Sequence, residues 1–307
     1  MSSRPKIVLA LGGGVARGWA HIGVLRTLAK EGLEPDVICG TSIGALVGGL
    51  HVAGKLDAIE NWARGLSQRK VMNLLDFTFS GSGLFGGEKL SKLLEEQAGG
   101  ICIENLRRNF VAVATELETG REAWMNDGSL LEAIRASYAL PGVFPPVKRD
   151  GRWLVDGALT NPCPTSVARS FGGRLVVGVS LHSDLLGTPG NTPSMETPGL
   201  MLDSAPPAPS SGFRRWLRPD RMILEHLFTD RPDGPAISSV MINALNILLD
   251  RVTRARLAGD PADILIAPRV AHIGLIDFHK AAETIELGAM ATREALPQIR
   301  YALEKFG

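Results

Sequence analysis

The stretch DVICGTSIGALVGGLHVA, residues 36–53, is the most informative in the chain. Asp36–Gly40 reads as a buried strand and Ile43–Ala53 as a helix. Between them lies Gly40-Thr41-Ser42-Ile43-Gly44, a G-x-S-x-G sequence in the strand–turn–helix setting of a nucleophile elbow. In such a turn the serine takes a tight backbone conformation, and glycines at positions 40 and 44 avoid side-chain clashes. The helix aims its positive N-terminal end at the serine oxygen. Gly44, Ala45, Gly48 and Gly49 leave one helix face nearly bare, so the helix can approach a sheet closely. The spacing alone is common, and a tight turn around an inert serine fits it as well.

Upstream, Lys6–Leu11 reads as a buried strand and Trp19–Glu31 as a helix, joined by Gly12-Gly13-Gly14-Val15-Ala16-Arg17-Gly18. A phosphate loop would need G-K-[ST], which is absent here. A dinucleotide fingerprint would need a third glycine where Arg17 stands; Gly18 comes one residue late. An oxyanion loop, with glycine N–H groups exposed beside a nucleophile, and a bare structural turn are the remaining readings. Arg17 would then anchor the loop or add positive charge.

Downstream, Phe110–Glu116 reads as strand and Gly128–Tyr138 as helix. Phe144–Arg149 and Arg152–Val155 flank Asp150-Gly151, a two-residue hairpin signal. Arg174–Ser180 is another buried strand. Strands alternating with helices imply a mainly parallel sheet covered on both faces. Residues 183–235 are proline-rich and aperiodic, and read as an insert, either a lid or a surface excursion. Within it Arg214, Arg215, Arg218 and Arg221 interleave with Phe213, Trp216, Leu217 and Met222. That mix suits a peripheral membrane contact through Arg214–Arg221, or a solvated linker. Order resumes with a helix from Ala236 to about Ala258, a strand at Ile264–Ala267 and a helix from about His279 to Lys305. That return favours one interrupted domain, residues 1–307.

An elbow serine usually needs a histidine base. The six histidines are His21, His51, His182, His226, His272 and His279, and none has a neighbourhood that marks it as one. They read as capping or packing residues. Asp156, in Trp153-Leu154-Val155-Asp156-Gly157-Ala158, is the better candidate. It ends a strand before a glycine, where a carboxylate can project into a cleft and take a serine proton directly.

Composition narrows the classes. Of 307 residues, 45% are hydrophobic and 21% charged, so a real core can form and the chain is not disordered. The formal charge of +1 argues against a nucleic-acid binder driven by overall charge. Cys39, Cys102 and Cys163 form neither a disulfide framework nor a zinc knuckle and suit a reducing compartment. The N-terminal apolar run is broken by Gly12–Gly14, and no run reaches the ~18 residues of a membrane span. A cytoplasmic protein, in peripheral contact with membrane at most, is expected. Glycine is in excess, with 35 residues against a usual ~7% of a chain, and the surplus gathers near the N-terminus.

Taken together and in order, these motifs resemble the patatin-like phospholipase family. The residues that carry the likeness are Gly12–Gly18, Gly40–Gly44 and Asp156-Gly157-Ala158. Supporting stretches are His21-Ile22-Gly23-Val24-Leu25, Ala136-Ser137-Tyr138-Ala139-Leu140-Pro141, Phe144-Pro145-Pro146-Val147 and Asn161-Pro162. Pro261–Ile266 through Asp277-Phe278 and Ala281 is similar to the bacterial branch related to the catalytic domain of neuropathy target esterase. The likeness covers about 1–182 and 236–305, and Ala158 departs from a position where the family often has glycine.

The resemblance implies a three-layer α/β/α sandwich, a Ser–Asp dyad acting on lipid acyl esters such as (lyso)phospholipids, and no metal or other cofactor. Ser42 would be the nucleophile and Asp156 the base. Gly13, Gly14 and Ile43 would supply oxyanion N–H groups, supported by Gly12, Arg17, Gly18, Gly40, Gly44 and Gly157. A non-hydrolytic membrane-associated regulator of the same fold, or an acyltransferase using the same dyad, are the alternatives. Oligomeric state and head-group preference are not legible.

Overall fold

Five consecutive apolar residues make the first strand, β1 (Ile7–Leu11), and all five are buried. A strand buried on both faces belongs to a sheet covered on both sides. Ile7, Leu9 and Leu11 enter one core, while Val8 and Ala10 enter another, as the period of two requires. The structure is a computed structural model that describes residues 5–68, 71, 88–141, 143–182 and 237–306. The insert expected at about 183–235, with its Arg214–Arg221 segment, lies outside the described residues.

The remaining strands are β2 (Val37–Thr41), β3 (Asn109–Glu116), β4 (Glu122–Met125), β5 (Val147–Arg149), β6 (Arg152–Asp156), β7 (Leu175–Val179) and β8 (Ile264–Ile266). The helices are α1 (Ala20–Lys30), α2 (Ile43–Val52), α3 (Leu56–Arg64), α4 (Glu88–Ala98), α5 (Leu130–Ser137), α6 (Thr165–Ser170), α7 (Ile237–Gly259) and α8 (Ala281–Phe306). The chain divides into two compact units, residues 1–187 with 250–307, and residues 188–249. The described part of the second is the first portion of α7.

In the larger unit β2, β1, β7 and β8 pair in parallel, and β3 joins β2 in parallel. The sheet is therefore mainly parallel, as the alternation predicts. On one face Ile22 and Leu25 of α1, Leu46 and Leu50 of α2, Ile134 of α5 and Ile285 of α8 share a core with Leu9, Leu11 and Phe110. On the other, Val167 and Ala168 of α6 cover Val8, Ala10, Val37, Val111 and Val113. Helix α1 lies hard against α8: a Cβ added at Gly23 would fall 1.9 Å from the Ile285 carbonyl oxygen. Only glycine permits that approach, and it seats α1 with its first turn over the glycine loop.

The antiparallel strands place the site. β4 pairs with β3 over Ala112–Thr115. β2 pairs over Asn109–Val113 and β6 over Ala114–Glu116. Both overlap the β4 run, so both must lie along the opposite edge of β3. β2 and β6 thus meet end to end on one edge, carboxyl end to carboxyl end. β5 and β6 form the expected hairpin, with Asp150 at φ 49° and Gly151 at φ 79° in its turn.

The predicted strands agree with the observed ones to within a few residues. The helix expected from Trp19 begins at Ala20, after a tighter 3-10 turn at Val15–Trp19. The sequence pattern does not single out β4, α3, α4 or α6. β4 is four residues with no clean alternation, Glu-Ala-Trp-Met, and pairing with β3 makes it a strand. No helix among the described residues is long and apolar enough to cross a membrane.

Candidate active site

Ser42 sits where β2 ends and α2 begins, with φ 56° and ψ −124°. A residue with a Cβ holds that conformation only under constraint, at about 1–3 kcal/mol. The surroundings supply it. The Ser42 N–H donates to Ser137 Oγ at 2.8 Å, and Ser137 Oγ–H donates to the Val113 carbonyl at 2.6 Å. Thr41 Oγ1 donates to the Asn161 carbonyl at 2.8 Å. Glycine at 44 is obligatory here, since its Cβ would stand 2.2 Å from the Leu11 carbonyl oxygen. A Cβ at Gly40 would meet the Ala45 backbone at 2.6 Å.

Asp156 ends β6, and its carboxylate is pinned at both oxygens. Ser42 Oγ–H donates to Oδ2 at 2.7 Å, and the Ala158 N–H donates to Oδ1 at 2.8 Å. The Asp156 N–H donates to the Ala139 carbonyl, and Thr115 Oγ1 donates to the Asp156 carbonyl. The side chain is 1% exposed and Ser42 6%. Burial pushes the Asp156 carboxyl up to about 7, while the bonds from Ser42 and Ala158 pull it down. It is a carboxyl poised near neutrality in contact with a serine hydroxyl.

The glycine loop closes the third side. An ideal Cβ added at Gly13 would lie 3.4 Å from Ser42 Cβ and 3.3 Å from Ala158 Cβ, so Gly13 lies beside the elbow serine and Ala158. The loop is tied down along its length. The Gly12 N–H donates to the Val179 carbonyl at 3.0 Å and the Gly13 N–H to the Pro162 carbonyl at 2.8 Å. Val15 is held at φ 51°, joining Ser42 and Asp150 as a non-glycine residue with positive φ. Arg17 is 2% exposed and donates from Nε to the Ile273 carbonyl at 2.8 Å, so it anchors the loop. Gly18 lies beneath Ile43, whose side chain leaves no room for a Cβ. Gly157 abuts the Val113 carbonyl in the same way.

One expectation changes. Gly13 does not present its N–H to the reacting centre, because that hydrogen is spent on Pro162. Gly14 and Ile43, by contrast, have no backbone acceptor among the described residues for their N–H groups. Ile43 opens α2, where N–H groups lack intrahelical partners and the helix dipole is positive.

Three residues matter more than the sequence indicates. Ser137 locks the elbow from 95 positions away. Pro162 holds the glycine loop, so the segment 156–162 ties the aspartate, the elbow and the loop together. His21 is fully buried with Nε2 on the Gly12 carbonyl at 2.7 Å, and burial lowers its pKa to about 4. Ser137 and His21 stand in stretches that carry the family likeness, but no local pattern marks them as parts of a site. His182 is also buried and lowered to about 4, by burial first and then by the Arg17 charge. No group of three His, Cys, Asp or Glu residues is placed to hold a metal ion among the described residues.

Comparison with known proteins places the chain in a family. The family model described as patatin-like phospholipase matches residues 9–169, which include Ser42 and Asp156. An NTE family protein of Mycobacterium tuberculosis is 34% identical over 344 residues, covering 96% of this chain and 92% of its own. Patatin-like phospholipase domain-containing protein 7 of Mus musculus is 35% identical over 184 residues, 58% of this chain but 14% of its own length. The crystal structure of VipD from Legionella pneumophila shares the fold, with a TM-score of 0.54 at 13% identity, over 96% of this chain and 67% of that one. A family match over more than half of the chain, and a relative aligned over nearly all of it, show that this chain belongs to the patatin-like phospholipase family.

Proposed function

We propose that the chain is a serine hydrolase that cleaves fatty acyl ester bonds of (lyso)phospholipids or related lipids through a Ser42–Asp156 dyad. The observation that carries this reading is the 2.7 Å hydrogen bond from Ser42 Oγ to Asp156 Oδ2 in a buried site. Family membership supports the lipid acyl ester as substrate class. With no histidine in the relay, Asp156 itself receives the proton, and a carboxyl raised to about 7 is a stronger base than an ordinary one.

The steps follow. Ser42 Oγ attacks the acyl carbonyl carbon as its proton passes to Asp156 Oδ2. The oxygen of the tetrahedral intermediate takes the Gly14 and Ile43 N–H groups. The C–O bond to the leaving alcohol then breaks, and Asp156 returns its proton to that alcohol. Water, deprotonated by Asp156, attacks the acyl-serine and releases the fatty acid, restoring the Ser42 hydroxyl.

Lipid product profiling of the parent against Ser42→Ala, on mixed phospholipid and lysophospholipid substrates, tests the reading. Free fatty acid should appear with the parent and not with the variant. Equal release by both proteins would overturn it. An acyl product attached to an added alcohol, in place of free acid, would assign acyl transfer instead.

A further inference from the structure

We infer that His21 is a positioning residue for the oxyanion loop, acting through the Gly12–Gly13 peptide. This rests on Ser42 being the nucleophile.

The geometry is specific. A carbonyl oxygen only accepts, so the 2.7 Å contact requires His21 Nε2 to carry the hydrogen and donate it to Gly12. The carbonyl of Gly12 and the N–H of Gly13 belong to one planar peptide unit and point in opposite directions. The N–H end is held by Pro162 at 2.8 Å. The peptide is therefore clamped at both ends, by His21 on one side and Pro162 on the other. Its orientation fixes the next peptide, whose Gly14 N–H remains for the oxyanion.

The clamp matters because glycine has no side chain to prevent a flip. If the Gly12 carbonyl lost its donor, the peptide could rotate and present a carbonyl oxygen to the developing negative charge. A lone-pair oxygen there repels what an N–H attracts. Burial suits this role. His21 has no exposed surface, its Nδ1 has no hydrogen-bond partner among the described residues, and the lowered pKa keeps it neutral. The hydrogen bond to Gly12 pulls the pKa the other way, and burial outweighs it. A neutral imidazole donates its one hydrogen without adding a charge to the dry site.

The experiment is steady-state kinetics on a soluble aryl ester, together with inhibition by a trifluoromethyl ketone that forms a tetrahedral adduct. The proteins are the parent, Ser42→Ala, His21→Leu, His21→Gln and His21→Asn. Leu fills the space without a donor. Gln carries an amide N–H near the place of Nε2, and Asn falls short of it. The expected result is a kcat fall of about 10- to 100-fold for Leu and Asn, smaller than or equal to the loss of a direct oxyanion donor. KM should stay within about twofold, the ketone inhibition constant should rise in step with the kcat loss, and Gln should recover kcat to within about threefold of the parent, as expected if the donor rather than the ring is needed. A folded His21→Leu with parental kcat, a loss confined to KM, or equal impairment of Gln and Asn would each overturn the inference. If His21→Leu does not fold, the Gln and Asn pair decides by the same criteria. Should Ser42→Ala turn the ester over like the parent, the reading of the reaction fails. Should it be inactive while the His21 series stays flat, this inference alone fails.

Discussion

Thr41 and Asp156 lie end to end beside neighbouring residues of β3: Thr41 pairs with Val113 and Asp156 with Ala114. Because β2 and β6 approach from opposite directions along one edge, the residue after Thr41 is delivered to the carboxylate that ends β6. Residues 114 apart in sequence are brought within hydrogen-bond reach by backbone pairing. Side-chain contacts then refine the distance.

The pH dependence of turnover follows from the raised carboxyl of Asp156. The base must be ionised, so kcat/KM on a soluble ester should rise with pH and reach half its plateau at about pH 7. Ordinary carboxylates titrate near pH 4 and would place the limb far lower. A profile flat from pH 5 to 9 would count against Asp156 as the base.

Asp156→Asn should be inactive yet more stable than the parent at pH 8. The folded pKa is raised above the unfolded 3.8, so the ionised side chain opposes folding. Its favourable contribution is full below about pH 3.8 and is lost as pH rises through about 7. Asn removes the charge and keeps the shape. Thermal unfolding of both proteins at pH 5 and pH 8 checks this: the gap in Tm should widen at the higher pH.

Ser42→Gly should also exchange activity for stability. Glycine adopts φ 56° with ψ −124° without strain, so release of about 1–3 kcal/mol is expected, offset in part by glycine's greater freedom when unfolded. Chemical denaturation against Ser42→Ala separates relief of strain from loss of the hydroxyl. No gain over Ala would mean the elbow is unstrained.

Ser137→Ala should weaken both fold and catalysis. It removes the acceptor of the Ser42 N–H and the donor to Val113, leaving two buried backbone groups unpaired, at about 1–3 kcal/mol each. A lower denaturation midpoint with reduced kcat is expected, and parental values of both would show that the elbow does not depend on it.

Acid should destabilise the fold through His21 and His182. Both are lowered from 6.5 to about 4 by burial, so from pH 6.5 down to about 4 the unfolded chain binds protons that the folded one refuses. Their contribution is present above pH 6.5 and lost as pH falls through that window. His182→Leu should flatten the decline, read as Tm against pH, and an unchanged slope would show that His182 takes up its proton without unfolding.

Much of this was legible in the sequence. Ile7–Leu11 and Leu175–Val179 are apolar throughout and could only be inner strands, while Gly40–Gly44 carries its own turn geometry. Asp150-Gly151 marks a hairpin, and that hairpin puts Asp156 at a strand end. What escaped was long-range. The N–H of Gly13 looks available in sequence, and only the arrival of Pro162 from 149 residues away consumes it. His21 resembles any helical histidine until α1 docks on α8 and lays it over Gly12. β4 lacks a pattern of its own and is a strand because β3 offers it an edge.

The pairing of Ser42 with Asp156 as nucleophile and base is tested most directly by covalent labelling. Parent, Ser42→Ala and Asp156→Asn would be treated with a fluorophosphonate and mapped by peptide mass spectrometry. The expected result is a single adduct on the peptide containing Ser42 in the parent, none in Ser42→Ala, and labelling slowed at least about 100-fold in Asp156→Asn, as loss of a general base implies. An adduct on another residue, or equal labelling rates in the parent and Asp156→Asn, would contradict it.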